Sequence, residues 1–438
     1  MVTPLNIGIA GLGTVGSAVI AQIAAQRDTL AVRCGRRIEV VAVTARSRTK
    51  KRGVAVGKFK WHSDPLSLAR DPNIDVFVEL IGGENNPAKT AIEAALGAGK
   101  SVVTANKALL AKHGVALSAL AEKHHAALNF EAAVGGAIPI VKTLREGLAG
   151  NSLQRVYGIL NGTCNYILSR MEQEGLTFAA CLKDAQRLGY AEANPAFDVE
   201  GHDTAQKLAI LASLAFGAKV DQGAVYVEGI SSITPADLAA ANELGYRVKL
   251  LGVAVKTPQG IEQRVHPTMV RKDSAIAQVM GVTNAVTVDA AGINPLTLVG
   301  PGAGGAATAS AVVADIGDIA RGVRTAPFGQ PAVRLQSVRK APMQRHEGGY
   351  YIRLQARDKP GTAATIAKHL AQQQISLESI VQRHLDGAPV GQNGKSGSVP
   401  VILITYATTE DAVRKALAGV SRDRVISGAP QVIRIEKN

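Results

Sequence analysis

Aromatic residues are scarce in this chain: they make up 4% of its 438 residues, with a single tryptophan. Hydrophobic residues nonetheless account for 46%. Alanine, glycine and aliphatic side chains must therefore fill the interior, which suits close packing of helices on a sheet. The length is sufficient for two or three domains, each with its own core.

Cysteines and long apolar runs are also few. Cys34, Cys164 and Cys181 are widely spaced and odd in number, which fits neither a zinc site nor a disulfide framework and is typical of a reducing compartment. No apolar run reaches the length of a bilayer span, and the apolar N-terminus lacks the basic region of a signal peptide. These absences predict a cytoplasmic protein with no membrane partner.

Positive charge is in excess, with a formal net charge of +14, and eight basic residues fall between positions 33 and 52. Such a cluster attracts nucleic acid, an anionic membrane or a phosphorylated cofactor. Nucleic-acid sites usually combine charge with aromatic rings on which bases stack, and no aromatic residue is interleaved here. The composition therefore favours a phosphorylated cofactor and predicts no nucleic-acid partner.

A glycine-rich turn, GLGTVG at 11–16, lies between a short apolar strand at 5–10 and a predicted helix at 17–27. Gly11 permits the tight turn, Gly13 lets the backbone approach a pyrophosphate, and Gly16 lets the helix pack closely on the strand. The helix N-terminus then faces the anion. In this context the motif predicts a dinucleotide site that includes Thr14 and Val15; a tight turn without a ligand is the alternative.

The second predicted strand, at 38–43, ends in a basic sequence. A carboxylate there would bond the ribose 2′-hydroxyl of NAD, whereas arginine accommodates the 2′-phosphate of NADP. No acid follows the strand, but Arg46 and Arg48 do. We therefore expect both arginines to bind the cofactor, and we predict NADP rather than NAD as that cofactor. A solvated basic loop is the alternative.

A later strand, predicted at 101–104, leads directly to Lys107. Ligands of parallel sheets bind at the carboxyl ends of the strands, so Lys107 is a candidate site residue. A surface lysine in a strand-to-helix loop is equally compatible with this position.

The segment at 189–211, GYAEANPAFDVEGHDTAQKLAIL, is the richest in chemistry. Pro195 and Gly201 keep its first half out of a regular helix. Asp203 and Lys207 then lie one turn apart on a predicted helix. A lysine beside a carboxylate can carry a proton. Taken alone, however, the spacing favours an exposed ion pair worth about 0.3–0.5 kcal/mol.

The remaining chain lacks strict strand–helix alternation, which predicts an α+β region with a mixed or antiparallel sheet. A strand predicted at 129–133 runs into a glycine turn whose carbonyl groups could coordinate a hard cation, although the turn alone predicts no metal. GPGAGG at 300–305 precedes a small-residue helix at 306–320 and predicts a second helix start near the cofactor. Beyond a linker, the predicted order βαββαβ is ferredoxin-like, with a mobile hairpin tip at 386–398.

The predicted fold class is therefore α/β, in three parts. Residues 1–135 form a Rossmann domain with a doubly wound sheet, completed by about 304–322. Residues 136–303 form a central α+β domain, to which the family resemblance given next assigns substrate binding, catalysis and dimerisation. A linker at 323–348 leads to a ferredoxin-like domain at 349–438.

Taken together, these motifs resemble homoserine dehydrogenase of the type that carries a C-terminal ACT domain. The resemblance covers essentially the whole chain, and the segment at 189–211 is its most specific motif. The other motifs are GLGTVG at 11–16, TANKALLA at 104–111, EAAVGGAIP at 131–139, NGTCNYIL at 161–168 and GPGAGG at 300–305.

The resemblance implies reversible, NAD(P)-dependent interconversion of L-homoserine and L-aspartate 4-semialdehyde. Lys207 matches the family's proton donor, Lys107 its second catalytic lysine beside the nicotinamide, and Asp203 a carboxylate that supports catalysis. The other implied site residues are Glu192, Gly162, Thr163 and Asp198 for substrate, Gly189 and Gly304 for cofactor, and Glu131, Val134, Gly136 and Ile138 for sodium, the last three through main-chain oxygen. Cys164 is a conservative departure, and the role of Glu200 stays open.

The resemblance also implies a homodimer or homotetramer and an ACT domain that binds an amino acid, commonly threonine. A purely structural or oligomerising module is the alternative for residues 350–438. For the whole chain, the alternatives are another NAD(P)-dependent amino-acid or semialdehyde oxidoreductase and a non-catalytic amino-acid sensor.

Overall fold

The structure is a computed structural model that describes residues 3–337, 340–341, 343, 347–382 and 398–436. Its helices are α1 (Thr14–Ala25), α2 (Arg27–Cys34), α3 (Pro65–Ala69), α4 (Ala88–Gly97), α5 (Lys107–Lys123), α6 (Ile140–Lys142), α7 (Gly162–Glu174), α8 (Phe178–Arg187), α9 (Ala196–Val199), α10 (His202–Phe216), α11 (Pro235–Glu243), α12 (Gly305–Ala320), α13 (Thr362–Gln372) and α14 (Glu410–Arg422).

Its strands form two sheets. They are β1 (Leu5–Ala10), β2 (Ile38–Thr44), β3 (Lys60–Trp61), β4 (Val76–Glu79), β5 (Ser101–Thr104), β6 (Leu128–Asn129), β7 (Leu153–Ile159), β8 (Tyr226–Val227), β9 (Tyr246–Thr257), β10 (Gly260–Arg271), β11 (Thr283–Ala290), β12 (Leu296–Pro301), β13 (Glu347–Arg357), β14 (Leu377–Gln382), β15 (Ser398–Thr405), β16 (Thr408–Thr409) and β17 (Gln431–Ile435).

The first sheet is parallel, in the order β3-β2-β1-β4-β5-β6. Helices cover both faces, so the central strands β4 and β5 are buried along their whole length. Helix α12 returns from far along the chain and packs on α1, where Val312 and Ile316 share a core with Val19 and Ile23. The predicted Rossmann-type sheet is confirmed.

The second sheet is mixed and follows the path β12-β11-β7-β9-β10-β17-β13-β15-β14. The long hairpin β9–β10 forms its middle. The C-terminal elements have the predicted order βαββαβ, with strands arranged β17-β13-β15-β14. Thr268 pairs in parallel with Arg434, and Met269 with Ile435, so the C-terminal strands extend the central sheet. This continuity was not predicted.

Several local expectations were wrong. The strand expected at 129–133 stops at Asn129 and gives way to a 3₁₀ turn, Glu131–Ala133, because the Glu131 N–H donates to Asp315 of α12 rather than to a neighbouring strand. The first helix starts at Thr14 rather than at residue 17 and ends at Ala25, and a second helix, α2, occupies most of the connection to β2.

Part of the predicted linker at 323–348 lies outside the described residues, as do residues 386–397 of the predicted hairpin tip. The described part of the linker is anchored: the Ala332 N–H donates to both carboxylate oxygens of Glu122 at 3.0 Å. No helix among the described residues is long and apolar enough to cross a membrane.

Candidate active site

The glycine-rich turn has the geometry expected of a dinucleotide site. Gly11 has a φ of +101°, and a Cβ there would collide with the Leu80 carbonyl oxygen. A Cβ on Gly16 would collide with the Gly11 carbonyl, so the start of α1 packs directly on the turn. Gly13 faces open space. Gly11 and Gly16 thus have the tight turn and the close packing that the sequence predicted, and the space beside Gly13 is open.

A second helix start lies beside the first. Gly305, at the start of α12, is so close to Thr14 that a Cβ would lie 2.9 Å from the Thr14 Cγ2. Gly13 and Gly304 are the N-cap residues of α1 and α12, and neither helix has a side-chain cap. Free N–H groups at two adjacent helix N-termini favour an anion. The residues present therefore fit the pyrophosphate of a dinucleotide.

The loop after β2 is held by Arg52, a residue that was not predicted to do so. Its guanidinium donates to the main-chain oxygens of Leu12, Ser47 and Lys50. It also lies 5.9 Å from the centre of the Trp61 ring. Arg52 therefore ties the basic loop to the glycine-rich turn. Both predicted cofactor ligands, Arg46 and Arg48, are exposed at the end of β2.

Lys107 is set by a buried network at the carboxyl ends of β4 and β5. Glu79 is fully buried; it accepts from the Ile81 and Gly82 N–H groups at 2.7 and 2.9 Å and from the Thr104 hydroxyl at 2.6 Å. Asn106 caps α5 by accepting from the Leu109 N–H, and it donates to the Gly83 carbonyl. Sequence reasoning missed Glu79 and Asn106, whose only signal was their place at strand ends.

Asp203 lies between two lysines. Its Oδ2 accepts from Lys207 Nζ at 2.9 Å, and its Oδ1 lies 3.2 Å from Lys107 Nζ. Lys207 also donates to the Leu160 carbonyl at 2.8 Å. Asp203 and Lys207 are 5% and 9% exposed, so the pair is not the exposed ion pair that its spacing alone favoured. The structure brings together three predicted catalytic residues from two helices, α5 and α10.

Asn161 completes this cluster and was missed. Its amide donates to Asp198 Oδ1 at 2.8 Å and to Asp203 Oδ2 at 2.9 Å, and its carbonyl oxygen caps α7 at the Cys164 N–H. The two carboxyl groups differ in pKa. Burial raises the pKa of Asp198, and the neighbouring Asp203 charge adds to this rise.

For Asp203, burial again acts to raise the pKa, but Lys207 and Lys107 outweigh it and lower the pKa to about 2. The site therefore holds one firmly ionised carboxylate and, beside it, one carboxyl group that takes up a proton more readily. Two titratable groups whose environments separate their pKa values are typical of acid–base chemistry.

The other predicted substrate residues divide into two groups. Gly162 starts α7, where a Cβ would lie 2.6 Å from the Val282 carbonyl oxygen, and the Thr163 hydroxyl donates to the Tyr190 carbonyl at 2.6 Å. These two lie one and two residues beyond Asn161. Glu192 is exposed, and within the described residues its carboxylate makes no hydrogen bond or ion pair. Gly189 is exposed in the turn that follows α8.

The predicted sodium turn lies against the second glycine-rich segment. The Ala137 N–H donates to the Pro301 carbonyl at 3.0 Å. Both carboxylate oxygens of Glu131 accept main-chain N–H groups, from residues 141 and 142. Val134 and Gly136 are buried, and neither carbonyl oxygen accepts a hydrogen bond from a described residue. Such oxygens suit a hard cation.

The chain was compared with known proteins. Residues 11–131 match the family described as "Homoserine dehydrogenase, NAD binding domain", and residues 139–316 match "Homoserine dehydrogenase". A homoserine dehydrogenase from Neisseria gonorrhoeae is 42% identical over 439 residues, which cover 99% of both chains.

Solved structures give the same result. The crystal structure of a homoserine dehydrogenase from Thiobacillus denitrificans is 41% identical with a TM-score of 0.92, and 99% of each chain is covered. A hyperthermophilic archaeal homoserine dehydrogenase in complex with NADPH is 28% identical with a TM-score of 0.62, over 72% of this chain and 97% of that one. The chain therefore belongs to the homoserine dehydrogenase family, and it is an NAD(P)-dependent oxidoreductase that acts on a CH–OH group.

Proposed function

We propose that the chain interconverts L-aspartate 4-semialdehyde and L-homoserine with Lys207 as the proton carrier. The observation that carries this proposal is the contact of the buried Asp203 carboxylate with two lysines, one at each of its oxygens. Bound cofactor supplies a hydride to the aldehyde carbon. The oxygen of that aldehyde then gains negative charge, which needs a proton and nearby positive charge.

Lys207 donates that proton, and Lys107 stabilises the developing charge. Asp203 orients both ammonium groups, because one carboxylate oxygen faces each lysine. Lys107 is about one-third exposed and Lys207 about one-tenth. Lys107 therefore faces the open side of the cluster, where substrate can enter. In the reverse direction, neutral Lys207 takes the proton from the hydroxyl group.

The substrate's own charges define the rest of the site. A carboxylate suits the start of α7 at Gly162 and Thr163, where the helix N-terminus faces the cluster. The substrate ammonium suits an acid, and we assign it to Glu192, whose carboxylate is free of protein partners within the described residues. Asp198 lies nearest the catalytic pair and supports the same end of the substrate.

NADP is the preferred cofactor. The support is the absence of an acid after β2, the exposed Arg46 and Arg48, and the anchor that Arg52 provides for their loop. Gly13 and Gly304 accommodate the pyrophosphate. Gly189, in the open turn after α8, is assigned to the same ligand.

A monovalent cation, sodium by preference, belongs to the same proposal. The main-chain oxygens of Val134, Gly136 and Ile138 would hold it, with Glu131 beside them. Its contribution would be structural, since it would fix the turn that contacts the 300–305 segment.

Threonine inhibition is the proposed role of the ferredoxin-like elements, which we assign to an ACT domain at 349–438. A cleft of about 170 Å³ lies between α13 and the strands β14 and β15, lined in part by Asp358, Lys359 and Gln382. Helix α13 has Gly361 as its N-cap, with a φ of +87° and no side-chain cap. Charged residues at one end of a mostly apolar lining, beside free helix N–H groups, suit an amino acid.

A homodimer or homotetramer and a cytoplasmic location complete the proposal. The location is supported by the cysteines, which are all free and buried, as thiols remain in a reducing compartment.

The test is the rate of homoserine oxidation, followed as NADPH formation with NADP and as NADH formation with NAD, each with and without threonine. We expect homoserine-dependent activity, a preference for NADP and loss of activity at millimolar threonine. Absence of homoserine oxidation with either cofactor would reject the reaction. Undiminished activity at millimolar threonine would reject the sensor alone.

A further inference from the structure

The turn that leads into α10, residues 199–201, is hydrogen-bonded to a short segment, residues 228–231. The Ile230 N–H donates to the Val199 carbonyl at 2.9 Å. The Ser231 hydroxyl donates to the Glu200 carboxylate. Glu200 thus has a partner in this segment, and the two bonds fix the backbone just before Asp203.

Two glycines make this contact tight. Gly201 has a φ of +86°, and a Cβ there would lie 3.0 Å from a methyl of Val265. A Cβ on Gly229 would lie 2.5 Å from both the Val199 carbonyl oxygen and the Glu200 carboxylate. The turn and the segment are therefore in direct backbone contact, so a shift of one displaces the other.

The other side of the segment is held by the C-terminal strands. Arg434 of β17 donates to Glu228 at 2.6 and 3.2 Å and to Glu410 at 3.0 and 2.8 Å. The Arg434 and Glu410 side chains are 3% and 5% exposed. The Tyr226 hydroxyl also donates to Glu228. Glu228 is thereby fixed by a paired, charge-assisted interaction.

A second clamp holds the chain beyond the segment. Asp237, fully buried in the first turn of α11, accepts from Arg353 at 2.6 and 3.1 Å and from the Tyr351 hydroxyl at 3.1 Å. Both donors lie on β13. The segment from Glu228 to Asp237 is thus bonded at its first residue to β17 and at its last residue to β13.

We propose that Glu200 and Ser231 are positioning residues for Asp203, and that Arg434 sets them through Glu228. This inference rests on the proposed role of Asp203 and Lys207. It makes the C-terminal strands part of the scaffold of the catalytic cluster. A displacement of these strands should therefore change the rate of proton transfer. The cofactor end of the site should be unaffected, because it lies on the other sheet.

The first experiment removes the contact at the turn. Ser231→Ala should lower kcat for homoserine oxidation about five- to tenfold, since one net hydrogen bond is worth about 1 kcal/mol and small misplacements are costly. KM for NADP should stay within about twofold. Ser231→Thr, which keeps the hydroxyl, should restore most of the rate. The matched control is Ser274→Ala, because the Ser274 hydroxyl donates to the Arg271 carbonyl in an exposed turn.

The second experiment tests the link to Arg434. Arg434→Lys keeps the charge but loses the paired geometry, and it should lower kcat about as much as Ser231→Ala. The double variant should be no slower than the slower single variant, because both break the same connection. Tyr226→Phe is the milder variant should Arg434→Lys not fold. The control is Asp423→Asn. It removes the charge from the His369–Asp423 pair, which joins α13 to the end of α14 among the C-terminal elements.

Unchanged kcat in Ser231→Ala, or multiplied effects in the double variant, would overturn the inference. So would equal losses in kcat and in NADP affinity, because they indicate general loosening. If the wild-type chain does not oxidise homoserine, the proposed function fails first. If the wild type is active and the positioning variants match their controls, only this inference fails.

Discussion

Two partly buried clusters of charge lie on opposite sides of residues 228–231, and they use different cations. The catalytic cluster places Lys207 and Lys107 on Asp203. The cluster at the C-terminal strands places Arg434 between Glu228 and Glu410. Lysine is a compact charge that can release a proton, whereas arginine stays charged and binds carboxylates in pairs.

The pKa directions follow the same division. In the catalytic cluster one aspartate is lowered to about 2 while its neighbour Asp198 is raised, so the two differ in proton affinity. In the other cluster, burial opposes ionisation of Glu228 and of Arg434, but their mutual contact lowers the pKa of the first and raises that of the second. One cluster is built to move a proton and the other to hold shape.

Replacing each cation by the other type should give the largest difference in kcat between the two clusters. Lys207→Arg keeps the positive charge but cannot release a proton near neutral pH, so kcat should fall about 10²- to 10⁴-fold. Arg434→Lys should stay within about tenfold of the wild type. Steady-state rates of homoserine oxidation measure both. Similar losses in the two variants would contradict the division of roles.

Removing the shared carboxylate should have the next largest effect. Asp203→Asn leaves Lys207 buried without its counter-charge, which should destabilise the fold by about 3–5 kcal/mol and lower kcat about 10- to 100-fold. Asp198→Asn is the matched control, because its raised pKa makes the neutral form less costly. Urea unfolding and kcat distinguish them. Equal stability of the two variants would contradict the assignment.

The same variant predicts a pH dependence. The pKa of Asp203 falls from 3.8 to about 2 on folding. Its ionised form therefore stabilises the fold above about pH 4, and this contribution is lost as the pH falls towards 2. The wild type should lose more stability than Asp203→Asn in that window, as followed by circular dichroism. Parallel curves would exclude the lowered pKa.

Exposed arginines should show a smaller, more specific effect than either buried cluster. Replacing Arg46 and Arg48 together with glutamine should raise KM for NADP about tenfold and leave KM for NAD nearly unchanged, because only NADP carries the 2′-phosphate. Arg37→Gln, exposed just before β2, is the control. A parallel rise for both cofactors would argue against a phosphate contact.

Lys249, a second buried lysine, should show the smallest effect. Lys249 Nζ donates to the Asn165 side chain and the Val279 carbonyl but to no carboxylate among the described residues. Burial lowers its pKa from 10.5 to about 8. The unfolded chain then binds more protons between these values, so stability should rise with pH from about 8 to 10. Lys249→Met should lack this rise in urea unfolding; an equal rise would contradict it.

Local patterns were sufficient to predict the glycine-rich turn, the parallel strands around it and the βαββαβ order. For Lys107, Asp203 and Lys207 they offered candidates only, and the family resemblance assigned the catalytic roles. Spacing alone indicated that Asp203 and Lys207 form an exposed pair, since it carries no information on what covers a helix face.

Contacts between distant segments could not be predicted. Thr268 and Arg434 pair across two strands that no local pattern relates. Asn161 caps α7, and its amide also joins the two aspartates, which the sequence did not indicate. Arg52 was one of eight clustered basic residues, and nothing in the cluster distinguished the one that bonds main-chain carbonyls. Each depends on tertiary packing.

The central claim is that Lys207 carries the proton in a homoserine dehydrogenase reaction. The most direct measurement is the initial rate of NADPH formation from L-homoserine by the wild type and by Lys207→Met, with NADPH affinity followed by its fluorescence. We predict an active wild type, a variant slower by a factor of about 100 or more, and NADPH affinities within about twofold. A variant that keeps more than about one-tenth of the wild-type rate would contradict the claim.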